Sequence, residues 1–285
     1  MDKTIVTCAL NGVLTDPAVH NVPVTPKEMA SSAREAFDAG ATIVHVHFRD
    51  QQPGKGMLAT WDPQVAYDIC YAIRAEVPEL LINMSTGTVG DDISGALACL
   101  EKVRPEMAAL NSGSLNYLKI KKDGSWAWKP FTFDNGVPKI EKFLEVLKIL
   151  NIIPECECFD TGIVRSIPMF EKNGLVHSPA HVSLVMGVDS GMPANPEWLP
   201  LLLKELSPET IWQVIAIGRE EVWPLHKRCI ELGGHTRTGL EDTFYLKDGT
   251  KAKSNGVLIE HLVSLIRECG REVATPKETR QLLGI

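Results

Sequence analysis

Eight times along its 285 residues, this chain passes from a short apolar run rich in branched side chains into a stretch with helical periodicity. Strands that alternate with helices in this way pair in parallel, and each helix makes a right-handed crossover. The strand-like runs are Thr4 to Leu10, Thr42 to His47, Leu80 to Met84, Met107 to Leu110, Ile153 to Phe159, His181 to Met186, Ile211 to Ile217 and His235 to Leu240. The first helix is marked at both ends. Thr25-Pro26-Lys27-Glu28 combines a capping threonine with a proline at the first helical position and a glutamate at the third, and Gly40 follows Ala39 as the stop. Further helices are predicted over Asp62 to Ala75, about Asp91 to Lys102, Pro138 to Leu150, about Gly162 to Lys172 and Glu197 to Leu206. Another runs from Gly218-Arg219 to Gly233-Gly234, then Lys253 to Glu268, with a tail helix after Pro276.

Eight uninterrupted units predict an α/β fold of the closed (β/α)8 TIM-barrel type, one domain over 1–285. A doubly wound open sheet is the alternative, but no G-x-G-x-x-G follows the first strand and no G-x-x-x-x-G-K-[ST] occurs. The polar stretch from Leu118 to Gly136, with Trp126, Trp128 and Phe131, has the makings of a small hairpin insertion over one end of the barrel. For the tryptophans themselves a place in the core is the expectation.

The apolar content of 44% is that of an ordinary globular protein. A net charge of −7, from 36 acidic and 29 basic side chains, argues against nucleic acid as the main partner. The seven cysteines are scattered without a C-x-x-C pair, which suits reduced thiols in a cytoplasmic protein. Cys156 and Cys158 share one face of a strand and are expected to line it as small apolar residues. The chain runs from Met1-Asp2-Lys3-Thr4 directly into an apolar strand, so neither a signal peptide nor a membrane span is expected.

In such barrels chemistry sits at the carboxyl ends of the strands, and interior positions are otherwise expected to be apolar. Strand two ends in His45-Val46-His47. Side chains alternate along a strand, so both imidazoles point the same way and can share one divalent ion. Strand eight ends in Arg237-Thr238-Gly239-Leu240-Glu241-Asp242. It closes onto strand one, which brings Glu241 within reach of strand two. Two histidines and one carboxylate leave coordination positions open, as catalytic sites do. Arg237, if it faces inward, needs a carboxylate partner. Strand five offers Glu155 and Glu157 on one face. For Glu155 an exposed place at the strand start is the simpler reading, while Glu157 is the better candidate to answer Arg237 or meet substrate. Ser85-Thr86-Gly87 after strand three and Asn111-Ser112 after strand four can hold a carboxylate through backbone N–H groups and hydroxyls. Gly218-Arg219 is an anion candidate at strand seven. The other histidines have no such spacing, with a reservation for His181 at the start of strand six.

His45-Val46-His47-Phe48-Arg49-Asp50, Ser85-Thr86-Gly87, Leu110-Asn111-Ser112-Gly113, Glu155-Cys156-Glu157-Cys158-Phe159-Asp160, Gly191-Met192-Pro193-Ala194 and Arg237-Thr238-Gly239-Leu240-Glu241-Asp242, in this order, resemble the β-keto acid cleavage enzyme family. Val24-Thr25-Pro26 fits as well, and the likeness covers nearly the whole chain. The resemblance implies one zinc per chain and a reaction in which a β-keto acid and acetyl-CoA give acetoacetate and a new acyl-CoA. It implies His45, His47 and Glu241 as metal ligands, Asp242 as general base, Arg237 as its charged partner, and Ser85 with the Asn111 region as substrate contacts. Glu157 matches a family glutamate, with Glu155 one strand step away as the alternative. A homotetramer is implied too. In the member that cleaves an amino-substituted keto acid, the loop after strand one carries an acid. Here Gly12-Val13-Leu14 is apolar, which implies a substrate with an uncharged tail. Two other readings of the same residues are a metal-dependent hydrolase and a non-catalytic binder of acyl-CoA or keto acids.

Overall fold

The computed structural model describes residues 3–285; Met1 and Asp2, where the segment read as leaderless begins, lie outside the described residues. In chain order the strands are β1 (Lys3–Thr4), β2 (Val6–Ala9), β3 (Ile43–Val46), β4 (Leu81–Ser85), β5 (Met107–Asn111), β6 (Leu115–Tyr117), β7 (Phe131–Phe133), β8 (Ile153–Cys158), β9 (His181–Met186), β10 (Ile211–Ala216), β11 (His235–Thr238) and β12 (Glu272–Val273). The helices are α1 (Pro26–Ala39), α2 (Pro63–Glu76), α3 (Ser94–Val103), α4 (Val137–Leu150), α5 (Thr161–Asn173), α6 (Leu199–Leu202), α7 (Val222–Glu231), α8 (Asn255–Glu268) and α9 (Pro276–Leu283). Eight strands close a barrel in the order β10-β11-β2-β3-β4-β5-β8-β9, every pair parallel. This is the (β/α)8 fold that the alternation of elements predicts. Among the described residues no helix is long and apolar enough to cross a membrane.

Local chemistry accounts for the elements. Thr25 and Glu28 form a complete capping box at the start of α1, and Gly40 ends it in the left-handed conformation that glycine adopts without steric cost. The helix expected over Glu197 to Leu206 is broken instead. A 3-10 turn at Pro196–Trp198, the single turn α6 and a second 3-10 turn at Leu203–Glu205 replace it. Pro196 and Pro200 lack the N–H groups that an unbroken ladder would use. The first strand also divides. Thr4 pairs with Val273 outside the barrel, and the barrel strand proper begins at Val6.

Alternation of side chains builds two cores. Residues such as Val44, Val46, Ile82, Cys156, Cys158, Leu184 and Val214 point outward into the layer beneath the helices. Cys156 and Cys158 are thus small buried apolar residues, free of disulfides. Inside, Ile5, Ile43, Leu81 and Met107 form an apolar floor with Ile153 and Ile211, closed below by Ala274 and by Leu283 of α9. Above that floor the interior is polar, contrary to the apolar filling expected from the sequence. The next steps up the strands carry Thr7, His45, Asn83, Glu155, Ser183, Gln213 and Arg237, all buried.

A buried and a half-buried histidine make this scaffold sensitive to acid. Burial pushes His226 and His235 down to about 3. His226 shares a 2.6 Å hydrogen bond with Thr236, and His235 Nδ1 accepts from the Ile5 amide at 3.1 Å. In the unfolded chain each would titrate near 6.5, so both contribute stability above that pH and lose it as pH falls toward their folded values. Each unfavourable proton steepens the loss by about 1.4 kcal/mol per pH unit. Urea titrations between pH 6 and 4.5 are expected to show stability falling with pH, and His226→Gln to lessen the slope by that amount. An unchanged slope in the variant would refute the assignment.

Candidate active site

β3 ends at Val46 with its interior face carrying His45, and His47 follows one strand step beyond on the same side. The backbone of His47 is held from both sides by Asn11: its N–H donates to Asn11 Oδ1 at 3.1 Å, and Asn11 Nδ2 donates to its carbonyl at 3.1 Å. Sequence reasoning misses Asn11, whose one signal is a lone amide directly after an apolar strand. Arg49 is buried and donates to the carbonyls of Gly12, Asn11 and Gly56 at 2.9, 3.2 and 2.8 Å, tying the first two loops together.

Glu241 arrives from the far end of the chain because β11 pairs with β2 and β2 with β3, setting Arg237 beside Thr7 and Ala9 beside His45. Gly239 lets the chain pass close to β2: a Cβ there would lie 2.1 Å from the Ala9 carbonyl oxygen. Gly12 is equally constrained, with φ at +54° and space for a Cβ only 2.8 Å from Glu241 Cγ. His45 Nε2 and His47 Nε2 stand 3.1 Å apart. Glu241 Oε1 is 3.2 Å from His47 Nε2, and Glu241 Oε2 is 3.7 Å from His45 Nε2. The three side chains offer one ligand atom each, all within 4.8 Å of one another. Their chemistry fits a divalent cation of the zinc class. Burial, followed by the Arg237 charge, holds His45 well below its ordinary value, which leaves the neutral imidazole that a metal requires. Glu241 Oε2 is buried and has no hydrogen-bond partner among the described residues, as a ligand oxygen with an unused lone pair would be.

Behind this triad stands Arg237, nearly fully buried. Its Nε and Nη2 donate to Asp242 Oδ2 and Oδ1 at 3.1 and 3.0 Å, its Nη2 to Glu241 at 2.8 Å and its Nη1 to Glu157 at 3.3 Å. Burial opposes the guanidinium charge, but Asp242, Glu241 and Glu157 more than restore it. The carboxyls diverge. Burial also opposes ionisation of Glu241, yet His47, Arg237 and His45 together take it well below the usual range. Burial dominates at Asp242 and pushes it up to about 7, and at Glu157 to about 8, with Arg237 pulling the other way in both. Carboxyls driven apart in this manner mark sites of proton transfer.

Glu155 and Glu157 both face the interior, so the exposed place expected for Glu155 is corrected. Glu155 is fully buried one step below Glu157. It accepts from Asn83, from Ser183, and from Gln213 Nε2 at 2.7 Å. Three donors from β4, β9 and β10 satisfy a carboxyl that burial alone would disfavour. Glu155 is therefore a floor to the site, and Glu157 the glutamate that meets Arg237.

The remaining candidates fall around the rim. Ser85 and Asn111 are buried and flank Gly87, where a Cβ would stand 3.7 Å from Ser85 Oγ and 3.6 Å from Asn111 Nδ2. Two hydroxyls beside them are already committed: Thr86 donates to the Ala109 carbonyl, and Ser112 to that of Leu110 at 3.1 Å. Arg219 is exposed at the β10 edge, 3.4 Å from Glu220 and with its guanidinium 4.0 Å from the Tyr245 ring centroid. His181 lies at the amino end of β9, away from the mouth. Trp126 and Trp128 are exposed at 48% and 37%, which corrects the core position expected for them. They belong to the β6–β7 hairpin, on the part of it that no barrel layer covers.

Known proteins resemble the chain over its whole described length. The family model described as beta-keto acid cleavage enzyme matches residues 3–285. A 3-keto-5-aminohexanoate cleavage enzyme of Acetoanaerobium sticklandii is 34% identical over 294 residues, covering 100% of this chain and 99% of the relative. A 3-oxoadipate:acetyl-CoA acetyltransferase of Cupriavidus necator is 32% identical, covering 99% of this chain and 94% of the relative. Among solved structures, the apo form of ObcA superposes with a TM-score of 0.73 at 18% identity, over 92% of this chain and 65% of that one, a likeness of fold.

Proposed function

The chain belongs to the β-keto acid cleavage enzyme family, and we propose on that basis that it is a zinc-dependent acyltransferase that takes a β-keto acid and acetyl-CoA to acetoacetate and a new acyl-CoA. The observation that carries this reading is the His45, His47 and Glu241 triad set directly against the buried Arg237–Asp242 pair. His45, His47 and Glu241 would hold the ion, whose contribution when bound is Lewis-acid polarisation of a keto oxygen.

The protein's own side chains supply the rest. Asp242 accepts the proton from the carbon between the two carbonyls of the keto acid, and its burial keeps a proton affinity high enough for the task. Arg237 fixes the Asp242 carboxyl through two parallel hydrogen bonds, balances the charge of Glu241 and donates to Glu157. The freed carbanion attacks the thioester carbonyl of acetyl-CoA. The CoA thiolate expelled there adds to the original keto carbon, and cleavage of the carbon–carbon bond, with the proton returned from Asp242, releases acetoacetate. Ser85, Gly87 and Asn111 are proposed to bind the keto acid carboxylate from the rim of β4 and β5, with Thr86 and Ser112, whose hydroxyls are spent on carbonyls, shaping that rim, and Arg219 to contact a CoA phosphate. Val13, which with His47 and Trp61 lines a cavity of about 30 Å³ at the mouth, gives that side of the site an apolar wall. It supports a keto acid with an uncharged tail. A cytoplasmic homotetramer completes the proposal on the family resemblance.

The test is a panel of β-keto acids incubated with and without acetyl-CoA, with acetoacetate measured. Release that depends on acetyl-CoA, greatest for uncharged tails, is expected. Turnover indifferent to the thioester would return the hydrolase reading, which relatives named for acyl transfer do not favour.

A further inference from the structure

The hairpin β6–β7 is the most unusual surface of the molecule. Between Leu115 and Phe133 it carries Lys119, Lys121, Lys122 and Lys129 against the single Asp123, in a chain whose net charge is −7. None of the four lysines makes an ion pair with another described residue. Its aromatic rings are gathered into one cluster, half-buried at Tyr117 and Phe133 and exposed at Trp128 and Phe131. Tyr117 stacks on Trp128 with centroids 5.9 Å apart and planes at 19°, and Phe131 lies 5.4 Å from the same tyrosine. Lys119 Nζ sits 5.8 Å from the Trp128 ring centroid. Trp126, bridged to Ile120 at the hairpin tip, and Phe131 are exposed.

The hairpin is anchored over the barrel mouth. It leaves β5 directly after Asn111 and Ser112, Phe133 packs edge-on against Phe159 beyond the end of β8 at 6.0 Å, and the Leu118 amide donates to Ser190 Oγ in the loop after β9 at 3.1 Å. It therefore spans the rim over three consecutive strands. Burial and, after it, the carboxylates of Asp189 and Glu241 disfavour ionisation of Tyr117.

Flat rings with unpaired lysines beside them match one chemistry: a purine to stack on and phosphates to neutralise. We propose that the Leu115–Phe133 hairpin is the docking platform for the nucleotide end of the acyl-CoA thioester, the adenine lying on the exposed rings and the 3′-phosphate and diphosphate meeting Lys119, Lys121, Lys122 and Lys129. The pantetheine arm then leads inward past Tyr117 toward the triad. The assignment rests on the acyltransferase reading for the identity of the thioester, and the hairpin surface alone carries the nucleotide.

The test uses the full-length protein with Lys119, Lys122 and Lys129 replaced together by Gln, a change of exposed charge that spares the ring stack. The probe independent of turnover is adenosine 3′,5′-bisphosphate, titrated calorimetrically into wild type and variant. The variant is expected to bind it at least about tenfold more weakly. In kinetics, KM for acetyl-CoA is expected to rise by a similar factor, while KM for the keto acid and turnover of S-acetylpantetheine, which lacks the nucleotide, stay put. Added salt is expected to raise KM for acetyl-CoA in wild type more than in the variant. Equal bisphosphate binding by the two proteins would overturn the proposal. So would equal losses with both thioesters, or a change in particle mass by light scattering with no change in KM, which would make this face a contact between copies of the chain. Bisphosphate binding lost in the variant of a protein that never turns over acetyl-CoA would uphold the platform and sink the acyltransferase reading instead.

Discussion

Replacing His45 with alanine is expected to remove the bound metal and to lower kcat/KM by about a thousandfold or more, since Lewis-acid stabilisation of developing charge is worth several kcal/mol. His45 is the ligand with the least freedom: it is buried, its position is fixed by pairing with both Ala9 and Asn83, and its Nε2 already lies 3.1 Å from that of His47. Metal content by mass spectrometry and turnover should fall together, and chelation of the wild-type enzyme should reproduce the loss, with zinc restoring it. Full activity of a metal-free preparation would contradict the account.

Asp242→Asn is expected to reduce kcat by about 10²- to 10⁴-fold, the usual range for a positioned proton acceptor, while leaving metal content and KM for the keto acid close to wild type. Asparagine keeps the shape and one of the two acceptor oxygens for Arg237, so the cluster loses its base and one hydrogen bond to the guanidinium. A second readout separates chemistry from scaffolding. In heavy water without acetyl-CoA, the wild-type enzyme should exchange the protons between the two carbonyls of the keto acid, and the variant should not. Exchange at the wild-type rate in the variant would remove Asp242 from the mechanism.

Much of this site is legible in the chain alone. His45 and His47 declare a common direction through strand alternation, and Glu241 follows because the last strand of a closed barrel borders the first. The charged partner demanded by Arg237 also follows from the cost of an unpaired buried charge. Less legible are features that depend on depth and stagger. Glu155 looks like the polar start of a strand, but the floor formed by Ile5, Ile43, Leu81 and Met107 lies beneath it, so the strand start is already inside. No periodicity distinguishes a carboxyl bound by Asn83, Ser183 and Gln213 from one in water. The β1–β12 pair joins two dipeptides from opposite ends of the chain, too short to leave a pattern. Trp126 and Trp128 look like core residues by type, and only the placement of their hairpin on the rim leaves them in solvent.

The left-handed backbone at Gly12, pressed against the arm of Glu241, decides where this scaffold is free to diversify. Even a methyl group at that position would shove the carboxylate aside, so this position is closed to innovation. Recognition of new substrates on this rim has to be written from Val13 onward, since Val13 lines the cavity without disturbing the triad. A library that spares residue 12 and varies the residues after it would search tail preference while keeping the catalytic frame intact.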